Sequence, residues 1–239
     1  MRTTLVLLAA LHVGLAAASA QTAVDMAAEP HHRLLLGNDQ VRIFEVTLPP
    51  SERFFVRHDH NFLVVTLQDC EMVMWTEGQS DILNFRFNQG DTRFLYGGPA
   101  RGARNDRTET YRTVTVEFLS DKVTTYGYQP GLGSWDYGSN AISLPVDPNK
   151  AFHNTLRLGE AAASAVQLLP KDILPPPPKG TLELVIPTSD LNLIAEGDRH
   201  VRKSIGEAWS LGVDRKFDLV NADAGPARFV LIELTPGRN

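Results

Sequence analysis

Apolar and polar residues alternate with a period of two through most of the apolar stretches of this chain. Val41-Arg42-Ile43-Phe44-Glu45-Val46-Thr47-Leu48 shows the pattern clearly, and Pro49-Pro50-Ser51 ends it. Phe54 to Leu67, FFVRHDHNFLVVTL, is the run richest in β-branched and aromatic residues. Met72 to Trp75 and Ile82 to Phe87 follow, separated by the turn residues Glu77-Gly78-Gln79-Ser80-Asp81. In the second half Thr181 to Ile186, Asp190 to Leu193 and Val201 to Ile205 read as strands. The four prolines Pro175 to Pro178 are extended and unable to donate ladder bonds. Short strands, frequent turns and no long helical period predict an all-β sandwich or barrel.

The chain repeats itself. Gly90 to Glu117 and Gly206 to Glu233 share a spacing without a gap. Asn105 follows Gly90 by fifteen residues and Asn221 follows Gly206 by fifteen; Arg112 and Glu117 stand after Asn105 as Arg228 and Glu233 stand after Asn221. This spacing indicates an internal duplication. Each copy reads as a hairpin, opened by a glycine and an acid and turned at its asparagine, because Asn bonds its own backbone and tolerates left-handed angles. Ala161-Ala162-Ala163 on its own would permit a helix across Leu156 to Leu169. The duplication instead sets Ala165 to Pro170 against Phe44 to Pro50, so a strand is expected.

The first twenty residues are expected to lie outside the fold. Arg2, the apolar run Leu5 to Ala18 and the small residues Ala18-Ser19-Ala20 make a signal peptide cleaved after Ala20, which predicts a secreted or periplasmic protein. The alternative, an anchor, needs ~20 apolar residues. Gln21 to Glu29 reads as a mobile lead-in. Gly, Pro, Tyr, Asn and Asp crowd Gly127 to Asn149, which places a linker at 127–150 between a first domain at 21–126 and a second at 151–239. The formal charge of -5 becomes -6 once Arg2 is removed, which argues against nucleic acid or an anionic membrane as partner. Cys70 is the single cysteine, so no internal disulfide forms. It reads as a small buried apolar group, with pairing to a second molecule as the alternative.

The repeats carry a resemblance. After Gly90 come five residues, Tyr96, Gly98, Arg101 and Asn105. This resembles the second motif of the cupins, Gly, five residues, Pro-x-Gly, two residues, His, three residues, Asn, with Tyr96 in place of Pro and Arg101 in place of His. His58-Asp59-His60 resembles the His-x-His of the first motif, but Val64 or Val65 stands where its Glu would be. In the second half the His-x-His positions fall on Pro178 and Gly180, and the second-motif His becomes Phe217. The resemblance implies a degenerate bicupin: two cupin-type antiparallel β-barrels (double-stranded β-helix, or jelly roll) in tandem. The second would be mainly scaffold. Two halves in one chain imitate a cupin dimer, so a monomer or a homodimer is expected.

Read from the residues alone, His58 and His60 share a face if they lie in a strand, and two imidazoles on an inward face could hold a transition metal. Such a site needs three or more ligands, and nothing in the spacing nominates Glu71, His153 or another acid. The alternative is two histidines bonding polar neighbours. Alternation places Phe62, Val64 and Thr66 on the same face. If Arg101 occupies the position of the missing His, its charge opposes a divalent cation and favours a carboxylate or phosphate. Otherwise it turns to solvent. The expected ligand site is therefore Arg101, His58, His60 and Tyr96, with His58 and His60 as the candidate metal ligands and no cofactor assigned other than a possible divalent metal ion. Arg57 and Arg104 should face outward. Trp75, Trp135 and Trp209 read as packing, and Glu117 and Glu233 as partners of arginine. No Gly-x-Ser-x-Gly elbow and no phosphate loop is present. Three functions follow: binding of a small acidic or hydroxylated molecule, a metal-dependent dioxygenase or isomerase, and a structural or storage role.

Overall fold

The computed structural model describes residues 22–78, 83–125 and 140–235. The expected cleavage site, most of the expected linker and Trp135 lie outside them. The strands in the first half are β1 (Val24–Asp25), β2 (His32–Gly37), β3 (Val41–Leu48), β4 (Arg53–Arg57), β5 (Phe62–Thr66), β6 (Cys70–Thr76), β7 (Leu83–Phe87), β8 (Thr92–Leu95), β9 (Arg101–Arg104), β10 (Tyr111–Phe118) and β11 (Ala141–Ile142). Those in the second are β12 (Phe152–Leu158), β13 (Ala161–Leu168), β14 (Ile173–Leu174), β15 (Leu182–Pro187), β16 (Leu191–Ala195), β17 (Arg199–Lys203), β18 (Trp209–Val213), β19 (Leu219–Asn221) and β20 (Ala227–Leu234).

Each half is a barrel of two facing sheets. The first pairs the order β1-β4-β9-β6-β7 with β11-β8-β5-β10-β3-β2. The second pairs β14-β19-β16-β17 with β18-β15-β20-β13-β12. The orders match strand for strand, apart from β1 and β11, which only the first half carries among the described residues. The ladder register repeats as well. Tyr111↔Leu48 through Phe118↔Val41 is matched by Ala227↔Leu168 through Leu234↔Ala161. The alanine-rich segment is therefore strand, because pairing on both sides fixes what its propensity leaves open.

The repeated stretch is not a hairpin. β8 and β10 both pair with β5, and β9 between them belongs to the opposite sheet. The chain crosses the barrel at Gly97-Gly98-Pro99, where Gly98 has φ 117° and so occupies the region open to glycine. The lead-in is not loose either. β1 adds parallel to β4, Asp25 caps the following 3-10 turn by accepting from the Ala27 N–H at 2.8 Å, and Met26 is fully buried. The described end of the expected linker, from residue 140, joins the first barrel. β11 pairs with β8, and the Ser143 hydroxyl donates to Asp91 at 2.6 Å.

Alternation sorts each strand between two environments. Leu63 and Val65 of β5, Phe94 of β8, and Val114 and Val116 of β10 face the second barrel. They share one buried cluster with Ala163, Leu184, Ile186, Val230 and Ile232, so the two barrels pack back to back through their larger sheets. The other faces look into the barrels. The second barrel is filled by Val166, Val185, Leu193, Leu219 and Phe229, among others.

Candidate ligand cavity

The first barrel is not filled. A cavity of about 60 Å³ lies between its sheets. One water needs ~10–15 Å³ on the same measure, so there is room for several waters or a small organic molecule. Its wall is mainly apolar: Val46, Phe54, Phe62, Val64, Met74 and Phe87 contribute, with Thr66, Thr113 and Thr115 as small polar groups. Phe62, Val64 and Thr66 are the alternate residues of β5, as the period of two requires.

Four basic side chains line this space: His32, His58, Arg93 and Arg101. No aspartate or glutamate is among the described residues of the lining. Arg101 is 3 % exposed, so it faces the interior rather than solvent. Its guanidinium lies over the Phe62 ring, 5.5 Å from the centroid. Arg93 lies over Phe87 at 4.6 Å. His58 stacks flat on Phe62 with ring centroids 3.7 Å apart and planes within 10°. Burial holds the His58 pKa well below the ordinary imidazole value, and the Arg101 charge adds to the effect, so the ring is neutral near pH 7. Burial likewise pushes the Tyr111 phenol upward, and it stays protonated.

His32 is fixed from behind. Its Nδ1 lies 2.7 Å from a carboxylate oxygen of Glu29, and His31 approaches the other oxygen at the same distance. Burial works to raise the Glu29 pKa, but the hydrogen bonds from His32 and His31 outweigh it and hold the carboxyl below its usual range. His31 also meets Glu52 at 2.5 Å; these two carboxylates overcome its burial and raise its pKa. Buried Glu29 is thus the counter-charge at the back of the cavity wall.

Of the four residues expected to form the site, the structure brings His58 and Arg101 together. His60 and Tyr96 do not line the cavity. β4 ends at Arg57, so His58-Asp59-His60 is a bend rather than strand, and the shared face expected for the two histidines does not exist. Tyr96 shares the face of Phe94, which packs between the barrels, and its hydroxyl meets Thr125. Arg93 lines the cavity with Arg101 instead. Its signal was the alternation of Thr92-Arg93-Phe94-Leu95, which turns Arg93 and Leu95 inward once Phe94 is assigned outward. His32 had no such signal, because Pro30 to Gly37 does not alternate; β2 forms there by pairing with β3, which sets His32 opposite Val46. Arg57 and Arg104 point outward, to Glu77 and Asp106. Glu71 pairs with Arg107, and His153 is exposed. Glu117 pairs with Arg42 at 2.5 Å. Cys70 is partly buried, and burial together with Asp69 and Asp91 pushes its thiol to about 12, so it is inert.

Solved structures share this architecture. AerE from Microcystis aeruginosa superposes with a TM-score of 0.59 at 9% identity, over 87% of this chain and 99% of that one. A cupin 2 conserved barrel domain protein from Leptotrichia buccalis gives 0.57 at 11%, over 85% and 88%. The fold is that of a bicupin. A salicylate 1,2-dioxygenase mutant from Pseudoaminobacter salicylatoxidans, in complex with gentisate, gives 0.55 at 13%, over 83% and 71%. Identities this low establish fold alone. No protein-family model and no curated protein sequence matches the chain.

The metal that the bicupin resemblance implies does not fit the side chains present. Among the described residues no group of three or more His, Cys, Asp or Glu side chains is arranged to hold a metal ion. The cavity wall instead carries two guanidinium charges. Each opposes a cation by on the order of 4 kcal/mol per unit charge at ~4 Å and an effective dielectric of ~20.

Proposed function

We propose that this protein is an exported binder of a small organic anion, held in the first barrel without a metal ion. The observation that carries the reading is the cavity lining: two arginines, one of them 3 % exposed, and two histidines around an apolar space with no acid among its described residues. Such a wall favours a negative ligand. Guanidinium groups bind carboxylates through paired N–H donors, and the low local dielectric strengthens the contact. With His58 neutral, the attraction comes from Arg93 and Arg101. The apolar wall suits a ligand with a hydrocarbon body behind its acidic group. The second barrel, whose interior is filled by its own apolar side chains, serves as scaffold. Export rests on the leader at residues 1–20, and a monomer on the second barrel occupying the place of a partner.

Thermal unfolding in the presence of short carboxylic acids tests this. A ligand at about 100 times its Kd adds about 2.7 kcal/mol to stability. The shift in Tm should be present in the native protein and lost in Arg101→Met and Arg93→Met. No shift with any of the acids, or a shift that survives both substitutions, rejects the reading. One equivalent of bound metal, lost in His58→Ala, would instead support a metal-dependent enzyme.

A further inference from the structure

The anion reading leaves one wall group unaccounted for. Nδ1 of His58 is buried and has no hydrogen-bond partner. The residue is 5 % exposed and lines the cavity, so bulk water does not compensate. A buried polar atom of this kind needs a partner from the protein, an ordered water or a ligand. The aromatic stacking on Phe62 fixes the ring plane but satisfies neither nitrogen.

The chemistry of that partner is constrained. A neutral imidazole carries one N–H donor and one bare nitrogen acceptor. A carboxylate only accepts, so it can meet Nδ1 in one tautomer and not in the other. A hydroxyl both donates and accepts, and meets Nδ1 in either. The carboxylate is already claimed by the guanidinium groups, and Arg101 shares the Phe62 ring with His58. A ligand filling both needs carries its hydroxyl within a few atoms of its acid group.

We infer that the cavity selects hydroxy acids over the corresponding simple acids, with the ligand hydroxyl hydrogen-bonded to His58 Nδ1. The inference rests on the proposal that Arg93 and Arg101 receive a carboxylate. His58 is then the residue that sets specificity, while the arginines set the requirement for charge.

Calorimetric titration of the purified protein with two matched pairs, lactate against propionate and 3-hydroxybutyrate against butyrate, separates the two ideas. One hydrogen bond in a desolvated site is expected to favour at least one hydroxy acid by about three- to tenfold. In His58→Phe, which keeps a flat ring on Phe62, the hydroxy acid should fall to the affinity of its simple counterpart, whose own affinity changes little. Equal binding of both members of each pair to the native protein overturns the inference and leaves the anion reading standing. A preference that persists in His58→Phe overturns it too. Binding of none of the four acids removes both. Should His58→Phe fail to fold, the comparison within the native protein still decides.

Discussion

Phe62 and Glu183 occupy the same place in the two barrels: Phe62 pairs with Glu117 across β5 and β10, and Glu183 pairs with Glu233 across β15 and β20. Their consequences differ. Phe62 supplies an apolar platform on which His58 and Arg101 rest beside a cavity. Glu183, 1 % exposed, accepts from two of the three Arg215 guanidinium nitrogens, Nε at 2.6 Å and Nη2 at 3.0 Å. Arg215 also donates to the carbonyls of Leu174, Pro175 and Phe217, so its charge is fully held. One barrel stays hollow and the other is closed by an ion pair.

That pair makes a stability prediction. Arg215→Met strands a buried carboxylate and should cost about 3–5 kcal/mol. Glu183→Leu in the same chain removes the stranded charge, so the double variant should recover about 2 kcal/mol of the loss. Urea denaturation of the native protein, Arg215→Met, Glu183→Leu and the double variant checks this. Simple additivity of the two single effects would show that the pair does not act as a unit.

The turn asparagines offer a comparison within one molecule. Asn105 donates to the carbonyls of Leu48 and Glu109 at 2.9 and 2.7 Å and accepts from the Arg107 N–H at 3.0 Å. Asn221 does the same with Leu168, Gly225 and Asp223, at 2.9, 2.8 and 3.0 Å. Both are 1 % exposed. Asn105→Ala and Asn221→Ala should each cost about 2–4 kcal/mol, and the two costs should agree to within about 1 kcal/mol. Chemical denaturation gives both numbers, and a large inequality would mean that the shared geometry hides different energetics.

These asparagines also show what the chain declares in advance. Their spacing from the glycines and glutamates revealed the duplication, because ladder register and turn length must both be kept for a barrel to close. The inward set Phe62, Val64 and Thr66 was legible for the same reason: alternation is local. The hairpin reading failed because it treated neighbours in sequence as neighbours in a sheet, whereas the glycines at 97 and 98 let the chain cross to the facing sheet. His60 failed because alternation stops where a strand stops, and nothing in His58-Asp59-His60 marks the end of β4. His32 and Glu29 could not be read at all. Their place depends on β2 pairing with β3, which sets His32 opposite Val46 of the cavity wall, and Pro30 to Gly37 carries no alternation that announces that strand.

The cavity histidine predicts an acid sensitivity. An imidazole in the unfolded chain titrates near ~6.5. His58 in the folded chain accepts its proton only well below that, because burial and then the Arg101 charge oppose it. As pH falls, the unfolded chain therefore binds the proton first, and folded stability declines from about pH 6.5 downward, by at most ~1.4 kcal/mol per pH unit. Between pH 7.5 and pH 5 the native protein should lose about 2 kcal/mol more than His58→Phe. His31, with its raised pKa, has the opposite sign: its contribution is present below pH ~6.5 and fades as pH rises through the folded value. Both proteins carry His31, so it cancels in the difference. Parallel pH profiles for the two would refute the assignment to His58.

Gly102, next to Arg101 on β9, stands between two aromatic residues. It pairs with Phe55 of β4 on one side and with Trp75 of β6 on the other. These rings stack at 6.3 Å with planes within 15°. A Cβ at position 102 would lie 2.0 Å from Trp75 atoms, so the indole has to move and the stack has to open. Overpacking of this kind costs about 1–3 kcal/mol. Gly102→Ala should show that loss in urea denaturation, together with a shift of tryptophan emission that is absent when Trp75 is first replaced by Phe. Because β9 carries both Gly102 and the neighbouring Arg101, the same substitution should weaken carboxylate binding, and Trp75→Leu in the Gly102→Ala chain should restore part of the stability by making room for the new methyl. If Gly102→Ala is neutral in stability and emission, the aromatic bridge over β9 is looser than its geometry implies, and Arg101 is held by its own burial alone.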